Sequence, residues 1–304
     1  MRIATTTGDF SHYIASFEDH IRELHRAGFR YIDLNLYYLS AESPLMQEGW
    51  QERVLALKTL AEELGMTFVQ AHSPGGNPLW QDEARVEALL AATIRSIEIC
   101  QLLGIKNTVV HPGARHHIGK EEWFRLNKPF YEKLFPAMER CGVNVLCENS
   151  SEQNTGKGCY YLYTGQDMRE FIEYVDHPQF GGCWDTGHAN MVGSQYDSIL
   201  AVGDKLWAIH YNDNRGERDD HLIPFMGTMN HDEVIKALID VKFGGWFTLE
   251  CGCELLLYHR RRKFGEDDKT LKLKNPTLFM QQRLEALLYE TAKWMLQTYE
   301  LFEE

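Results

Sequence analysis

Six short apolar stretches of this chain run directly into a histidine or an acid: Gln70-Ala71-His72, Val110-His111, Cys147-Glu148, Trp184-Asp185, Ile209-His210 and Leu249-Glu250. Taken alone, a histidine in such a place is a hydrogen-bonded structural group, and a glutamate pairs with a base or faces water. Six in succession carry a different implication, because charged groups are rarely buried unless they are paired or hold a cation. Glu148, Asp185 and Glu250, gathered at one place, would repel each other strongly, and a cation removes that cost. Imidazole mixed with carboxylate suits zinc, manganese, iron or cobalt better than calcium. A further pair, Asp219 and His221, follows His210 in Arg215-Gly216-Glu217-Arg218-Asp219-Asp220-His221 and puts two more ligand types on one side of an extended segment.

The elements that must position these groups are legible from a repeated junction of helix, glycine and apolar strand. It occurs at Ala27-Gly28-Phe29, Leu64-Gly65-Met66, Leu103-Gly104-Ile105 and Cys141-Gly142-Val143, with glycines 37, 39 and 38 residues apart (65 − 28, 104 − 65, 142 − 104). Glycine after a helix supplies a left-handed cap cheaply, and this period fits one strand, one helix and two loops. The spacing predicts eight strands, at Ile3–Thr7, Tyr31–Leu36, Thr67–Ala71, Thr108–His111, Val143–Cys147, Gly182–Asp185, Leu206–His210 and Trp246–Glu250. Most are continuous apolar runs, as strands buried on both faces should be. Helical spacing joins Val54, Leu57, Ala61 and Leu64, and likewise Val86, Leu90, Ile94, Ile97 and Leu103. A last helix is predicted from about Leu278 towards Tyr299, with Leu284, Leu287, Leu288 and Met295 on its apolar side. Eight strand–helix units predict a single (β/α)8 TIM barrel, an α/β fold, over residues 1–304, with its active groups at the carboxyl ends of the strands. The stretch Glu254–Pro276, basic at His259-Arg260-Arg261-Arg262-Lys263, reads as a solvated loop.

Composition bounds the rest. The chain is 44% hydrophobic and 25% charged, ordinary globular values. No apolar run nears the ~20 residues of a membrane span, and the first residues lack the pattern of a signal peptide, so a cytoplasmic location is expected. Seven cysteines without zinc-knuckle spacing read as reduced and buried. A net charge of −13 weighs against nucleic acid as the partner. So do the loops Tyr37–Pro44 and Ser73–Trp80, which contain no Lys or Arg.

The order and spacing of His72, His111, Glu148, Asp185, His210 and Glu250 resemble the xylose-isomerase-like barrel superfamily, which includes ketose 3-epimerases, many sugar isomerases and endonuclease IV. Likeness to the epimerases implies one divalent ion, manganese or cobalt, held by Glu148, Asp185, His210 and Glu250. It further implies that Glu148 and Glu250 move the substrate proton, and that His188 and either Arg215 or Arg218 bind substrate. Likeness to endonuclease IV implies up to three zinc ions, the first on His72, His111 and Glu148, the second on the four core residues, the third on His188, Asp219 and His221. The expectation is therefore a divalent metal (Mn, Zn or Co), one to three ions per chain. The function expected first is a metal-dependent isomerase or epimerase of a ketose or sugar derivative. A multi-zinc phosphodiesterase and a sugar-lyase relative are the alternatives. Tyr37, Tyr38, Trp80 and Trp184 would wall a small, partly apolar pocket, and His116 and His117 would lie in a solvated loop. The resemblance also implies a homo-oligomer.

Overall fold

The computed structural model describes residues 1–252, 255–257, 272–273 and 275–304. The expected basic segment around His259–Lys263 lies outside the described residues. Eight parallel strands form one sheet: β1 Ile3–Thr6, β2 Tyr31–Asn35, β3 Thr67–His72, β4 Asn107–Val109, β5 Asn144–Glu148, β6 Phe180–Asp185, β7 Leu206–His210 and β8 Phe247–Leu249. Their order in the sheet runs from β8 through β1 to β7. The ring closes just past β7, where Tyr211 N donates to Thr248 O (2.7 Å) and Glu250 N donates to Tyr211 O (3.1 Å). The fold is a TIM barrel, as the period of the glycines predicts. All four of those glycines have positive φ, between 64° and 112°.

Register sets the height of each side chain in the barrel. Asn35 pairs with His72, His72 with Val109, Leu146 with Gly181 and Asp185 with His210. Because strand side chains alternate in direction, residues two apart share a face. The outward face packs on the helices through Ile32, Leu34, Phe68, Val145 and Ile209. The inward face of β4 to β7 carries a separate buried group, Val109, Leu146, Cys183 and Ala208. Two residues further along the same faces of β5, β6 and β7 stand Glu148, Asp185 and His210, and His72 ends β3 in register with Val109.

Two helices correct the expected faces. The helix α1, Glu83–Leu103, buries Leu89, Ala92, Ser96, Ile97 and Cys100, while Val86, Leu90 and Ile94 are only half-buried. The last helix α2, Leu278–Thr298, matches the expected span, but Leu287 faces solvent and Gln281 and Glu285 are buried instead. The reason is polar: Gln281 Nε2 donates to Asp9 O (3.2 Å), and Thr5 Oγ1 on β1 lies within reach of both Asp9 (2.9 Å) and Glu285 (3.4 Å). No helix among the described residues is long and apolar enough to cross a membrane. The six cysteines described are buried and form no disulfide with one another.

Candidate metal centre

The carboxyl ends of β3 to β8 meet at one mouth. Glu148, Asp185, His210 and Glu250 each offer a ligand atom, and these atoms lie within 4.8 Å of one another. The same spread describes His72, His111 and Glu148, and also His188, Asp219 and His221. Glu148 is the hinge of the arrangement. Its Oε1 lies 2.6 Å from His210 Nδ1, and its Oε2 is bonded to His111 Nε2. His72 Nε2 sits 3.1 Å from His111 Nε2, so the two rings share at most one proton between them, and both face Glu148. Glu250 follows β8 and stands 3.5 Å from His210 Nδ1.

The outer three are tied to the inner ones. Asp185 caps the short helix Thr186–Asn190 by accepting from His188 N (2.6 Å). That cap swings His188 back over the strand end, where its Nδ1 bonds Asn149 O (2.9 Å) and its Nε2 meets Asp219 Oδ2 (3.0 Å). His221 Nδ1 bonds Glu250 O (2.8 Å) and its Nε2 lies 3.3 Å from Asp219 Oδ2. Asp219 Oδ1 is buried with no hydrogen-bond partner.

The electrostatics follow from crowding. Burial acts to raise the Glu148 carboxyl, but His210 and His111 beside it hold it well below the ordinary carboxylate range. Burial pushes Asp185 up to about 6 against the pull of His188. His188 resists burial because Asp185 and Asp219 flank it, and it is raised to about 10. His72 is lowered to about 4, by burial first and then by His111. Apart from His72, which burial keeps neutral, acids and imidazoles here hold one another in charged pairs, the balance that a shared cation would otherwise supply. The donors are imidazole nitrogen and carboxylate oxygen, they converge, and Asp219 Oδ1 needs a partner. They fit a divalent ion of the zinc or manganese type.

Two further asparagines, not nominated from sequence, fix the site. Asp185 N donates to Asn149 Oδ1 (2.6 Å) and Asn149 Nδ2 donates to Asp185 O (2.9 Å). Asn212 Nδ2 donates to Asp185 Oδ2 (2.8 Å). Such partners orient ligands and are worth ~10–100-fold in metal affinity. The signal was available, since Asn149 follows Glu148 directly and Asn212 lies two residues past His210. Gly187 belongs to the same device: a Cβ there would come 1.8 Å from Asn212 Oδ1.

A cavity of about 440 Å³ opens over these groups, lined by His72, His111, Glu148, His188, Asp219 and Glu250 among others. Beside it lies a second cavity of about 400 Å³, walled by Leu36, Leu39 and Leu45, and sharing Tyr37, His221 and Glu250 with the first. Tyr37 and Tyr38 therefore line the front, as expected. Other expected positions fall elsewhere. Trp184 is a core residue whose Nε1 donates to Gln195 Oε1 (3.1 Å). Trp80 lies under the Arg85 guanidinium, 4.1 Å from its ring centre, and lines neither cavity. Arg215 and Arg218 are exposed and each pairs with Asp220, at 3.5 and 3.6 Å, outside both linings. Sequence gave their loop but not their direction. His116 and His117 sit on the surface, as expected.

A parallel barrel with a convergent His/Asp/Glu centre at the carboxyl ends of its strands defines the class of the protein. Within that class, residues 21–272 match the family model described as xylose isomerase-like TIM barrel, and the chain belongs to that family. It is 31% identical over 140 residues to a probable endonuclease 4 of Citrifermentans bemidjiense, covering 41% of this chain and 48% of that protein. To a probable endonuclease 4 of Geobacter sulfurreducens it is 28% identical over 218 residues, 63% of this chain and 69% of that one. The chain spans about half the length of the first relatives it matches in sequence. Among solved structures it resembles a D-psicose 3-epimerase of Clostridium cellulolyticum H10 with D-tagatose, at TM-score 0.73 and 17% identity over 97% of this chain and 99% of that one. It equally resembles the IOLI protein with a bound zinc atom, at TM-score 0.72 and 17% identity over the full length of both. The relatives named as endonucleases give no support to the expectation that nucleic acid is an unlikely partner.

Proposed function

We propose that this protein is a metal-dependent sugar isomerase or epimerase, acting on a ketose or sugar derivative. The observation that carries this reading is the character of the ligand cavity. Its volume of about 440 Å³ suits a small molecule, and among the described residues lining it and its neighbour there is no Lys or Arg. A polyanion needs cationic partners; a polyhydroxylated neutral ligand needs acceptors and donors of the kind present. A bound divalent ion would supply Lewis-acid polarisation of adjacent substrate oxygens.

The chain's own residues would do the rest. Glu148 and Glu250 come from strands three places apart in the ring and reach the ligand cluster from different sides. One removes a proton from the substrate carbon and the other returns one, an assistance worth ~10²–10⁴-fold. Glu250 is suited to the first step, since it is partly exposed and lines both cavities. His188, fixed between Asn149 and Asp219, lines the cavity, and a substrate oxygen would have to share its Nε2–H with Asp219. The test is a panel of ketoses turned over in deuterated water by protein reconstituted with manganese, cobalt or zinc. Deuterium should enter the carbon beside the carbonyl. Turnover of a sugar with no exchange would remove the two-glutamate proposal.

A second reading, a multi-metal phosphodiesterase, is favoured by one observation: among the described residues the ligands fall into several overlapping groups, with His72/His111/Glu148 and His188/Asp219/His221 beside the central four. Metal analysis separates the two. One ion per chain favours the isomerase; two or three, with nicking of abasic duplex DNA, would reverse the ranking.

A further inference from the structure

The layer just beneath the ligands holds a buried acid with no role in the reading above. Asp33 lies on β2, paired with Gln70, while Asn35 two residues on is paired with His72. Asp33 is therefore one inward step below the ligand layer. It is fully buried. Neither of its carboxyl oxygens completes a hydrogen bond of normal geometry, Thr6 offering only a weak one. Gln70 Nε2, in the same layer, has no partner, while its Oε1 accepts from Thr248 Oγ1 (3.3 Å). In the same interior His210 Nε2 is also buried and completes no hydrogen bond of normal geometry, the Cys183 thiol offering only a weak one. After burial itself, His210 is the strongest influence on the Asp33 carboxyl.

These atoms complement each other. His210 turns Nδ1 towards Glu148 and Glu250, and leaves Nε2 aimed away from the other ligands. A neutral imidazole that offers one nitrogen to a metal must carry its proton on the other, and that proton needs an acceptor. On the far side of the barrel the interior is apolar, filled by Val109, Leu146, Cys183 and Ala208. A carboxyl placed in the remaining half costs free energy unless it serves something. Four polar atoms lacking a full partner in adjacent layers also suit a buried water, which needs two to four of them.

We propose that Asp33 is a positioning residue for the metal centre: through a bridging water it accepts the Nε2 proton of His210, which leaves Nδ1 free to bind the ion. The inference rests on the metal reading of the site. Cys183 is the rival, since its thiol lies within 4.8 Å of the His210 and Glu148 ligand atoms.

The experiment is competition titration of zinc and of manganese into metal-stripped protein, with thermal melts of the same stripped samples. Asp33→Leu should weaken binding ~10–100-fold, and Asp33→Asn, which keeps an acceptor oxygen, should weaken it less. Cys183→Ala should bind within twofold of wild type. The stripped Asp33→Leu protein should melt no lower than wild type, because it loses an uncompensated buried acid. A merely structural role would lower melting temperature and affinity together. Affinity of Asp33→Leu within twofold of wild type overturns the proposal, as does a loss seen in Cys183→Ala but not in either Asp33 variant. If Asp33→Leu fails to fold, Asp33→Asn decides, and wild-type affinity there overturns the proposal. Failure of wild type itself to bind either ion would instead overturn the metal reading, and this inference with it.

Discussion

The inner and outer ligand groups are built by different means. Glu148, Asp185 and His210 are the last residues of their strands, and Glu250 follows its strand by one. The ladder that makes the barrel thus sets their positions, and they are nearly or fully buried apart from Glu250. His188, Asp219 and His221 belong to a five-residue helix and to a loop, and stand where they do because the inner group holds them. His188 N is bonded to Asp185, and His221 Nδ1 to the backbone of Glu250. The dependence runs mainly one way: the inner set forms without an outer residue, whereas the outer set leans on the inner one and, beyond it, on Asn149 O at His188 and Asn154 Nδ2 at Asp219 (2.9 Å).

The sharpest way to break that asymmetry is Glu148→Gln. Glu148 bridges two ligand groups and is held charged by His111 and His210. Its loss should empty the inner group of metal and cut turnover by ~10³-fold or more, combining a lost ligand and a lost proton carrier. Metal content by mass spectrometry and the exchange assay check it; full metal and full activity would refute the site. Asp219→Asn should cost less, ~10–100-fold in activity, with any outer ion lost and the inner ion kept. If Asp219→Asn strips all metal, the one-way dependence is wrong.

A smaller effect lies behind the site. Asp9 is buried against Thr5, beneath Glu285 of α2, and burial pushes its carboxyl up to about 7 although the Thr5 hydrogen bond lowers it. Its folded value is above its unfolded value near 4, so the folded state holds the extra proton. The stability this gives is fully present below pH 4 and is lost as pH rises through about 7. The upper limit is roughly 4 kcal/mol. Asp9→Asn should flatten the difference between urea midpoints at pH 5 and pH 8 in metal-stripped protein. An unchanged difference would mean that Asp9 is ionised in the folded state.

The inner group was legible in the sequence because a strand end is a local event: an apolar run stops at His72, Asp185 or His210, and parallel topology sends every stop to the same mouth. Of the outer group, Asp219 and His221 were legible as a spaced pair after His210, while the addition of His188 to them came only by likeness to known barrels. Nothing local says that Asp219 turns inward while Arg218 beside it turns out. Asp9, Asp33 and Glu285 were missed for a further reason. Asp33 and Glu285 are single acids in elements read by their apolar residues, Asp9 lies just past β1 in no element read from the sequence, and the groups that meet Asp33 and Glu285, such as Gln70 in register and Thr5, are remote in sequence. The face of α2 was misread on the same ground, since polarity argued Gln281 and Glu285 outward and tertiary hydrogen bonds drew them in.

The weakest effect tests how far the outer group extends. Arg215 and Arg218 share the loop of Asp219 and His221, and family likeness alone assigns one of them to substrate. In the structure both side chains are more than 60% exposed and lean on Asp220 rather than on the cavity. Exposed ion pairs of this kind contribute ~0–1 kcal/mol. Arg215→Ala and Arg218→Ala should therefore each leave stability within about 0.5 kcal/mol and KM within about twofold. Each twofold step in KM is only ~0.4 kcal/mol, so the measurement is a strict one. A tenfold rise in KM for either variant would mean that the loop turns over when substrate binds. The outer group would then have a further frame, supplied by the ligand, and would depend less on the inner residues.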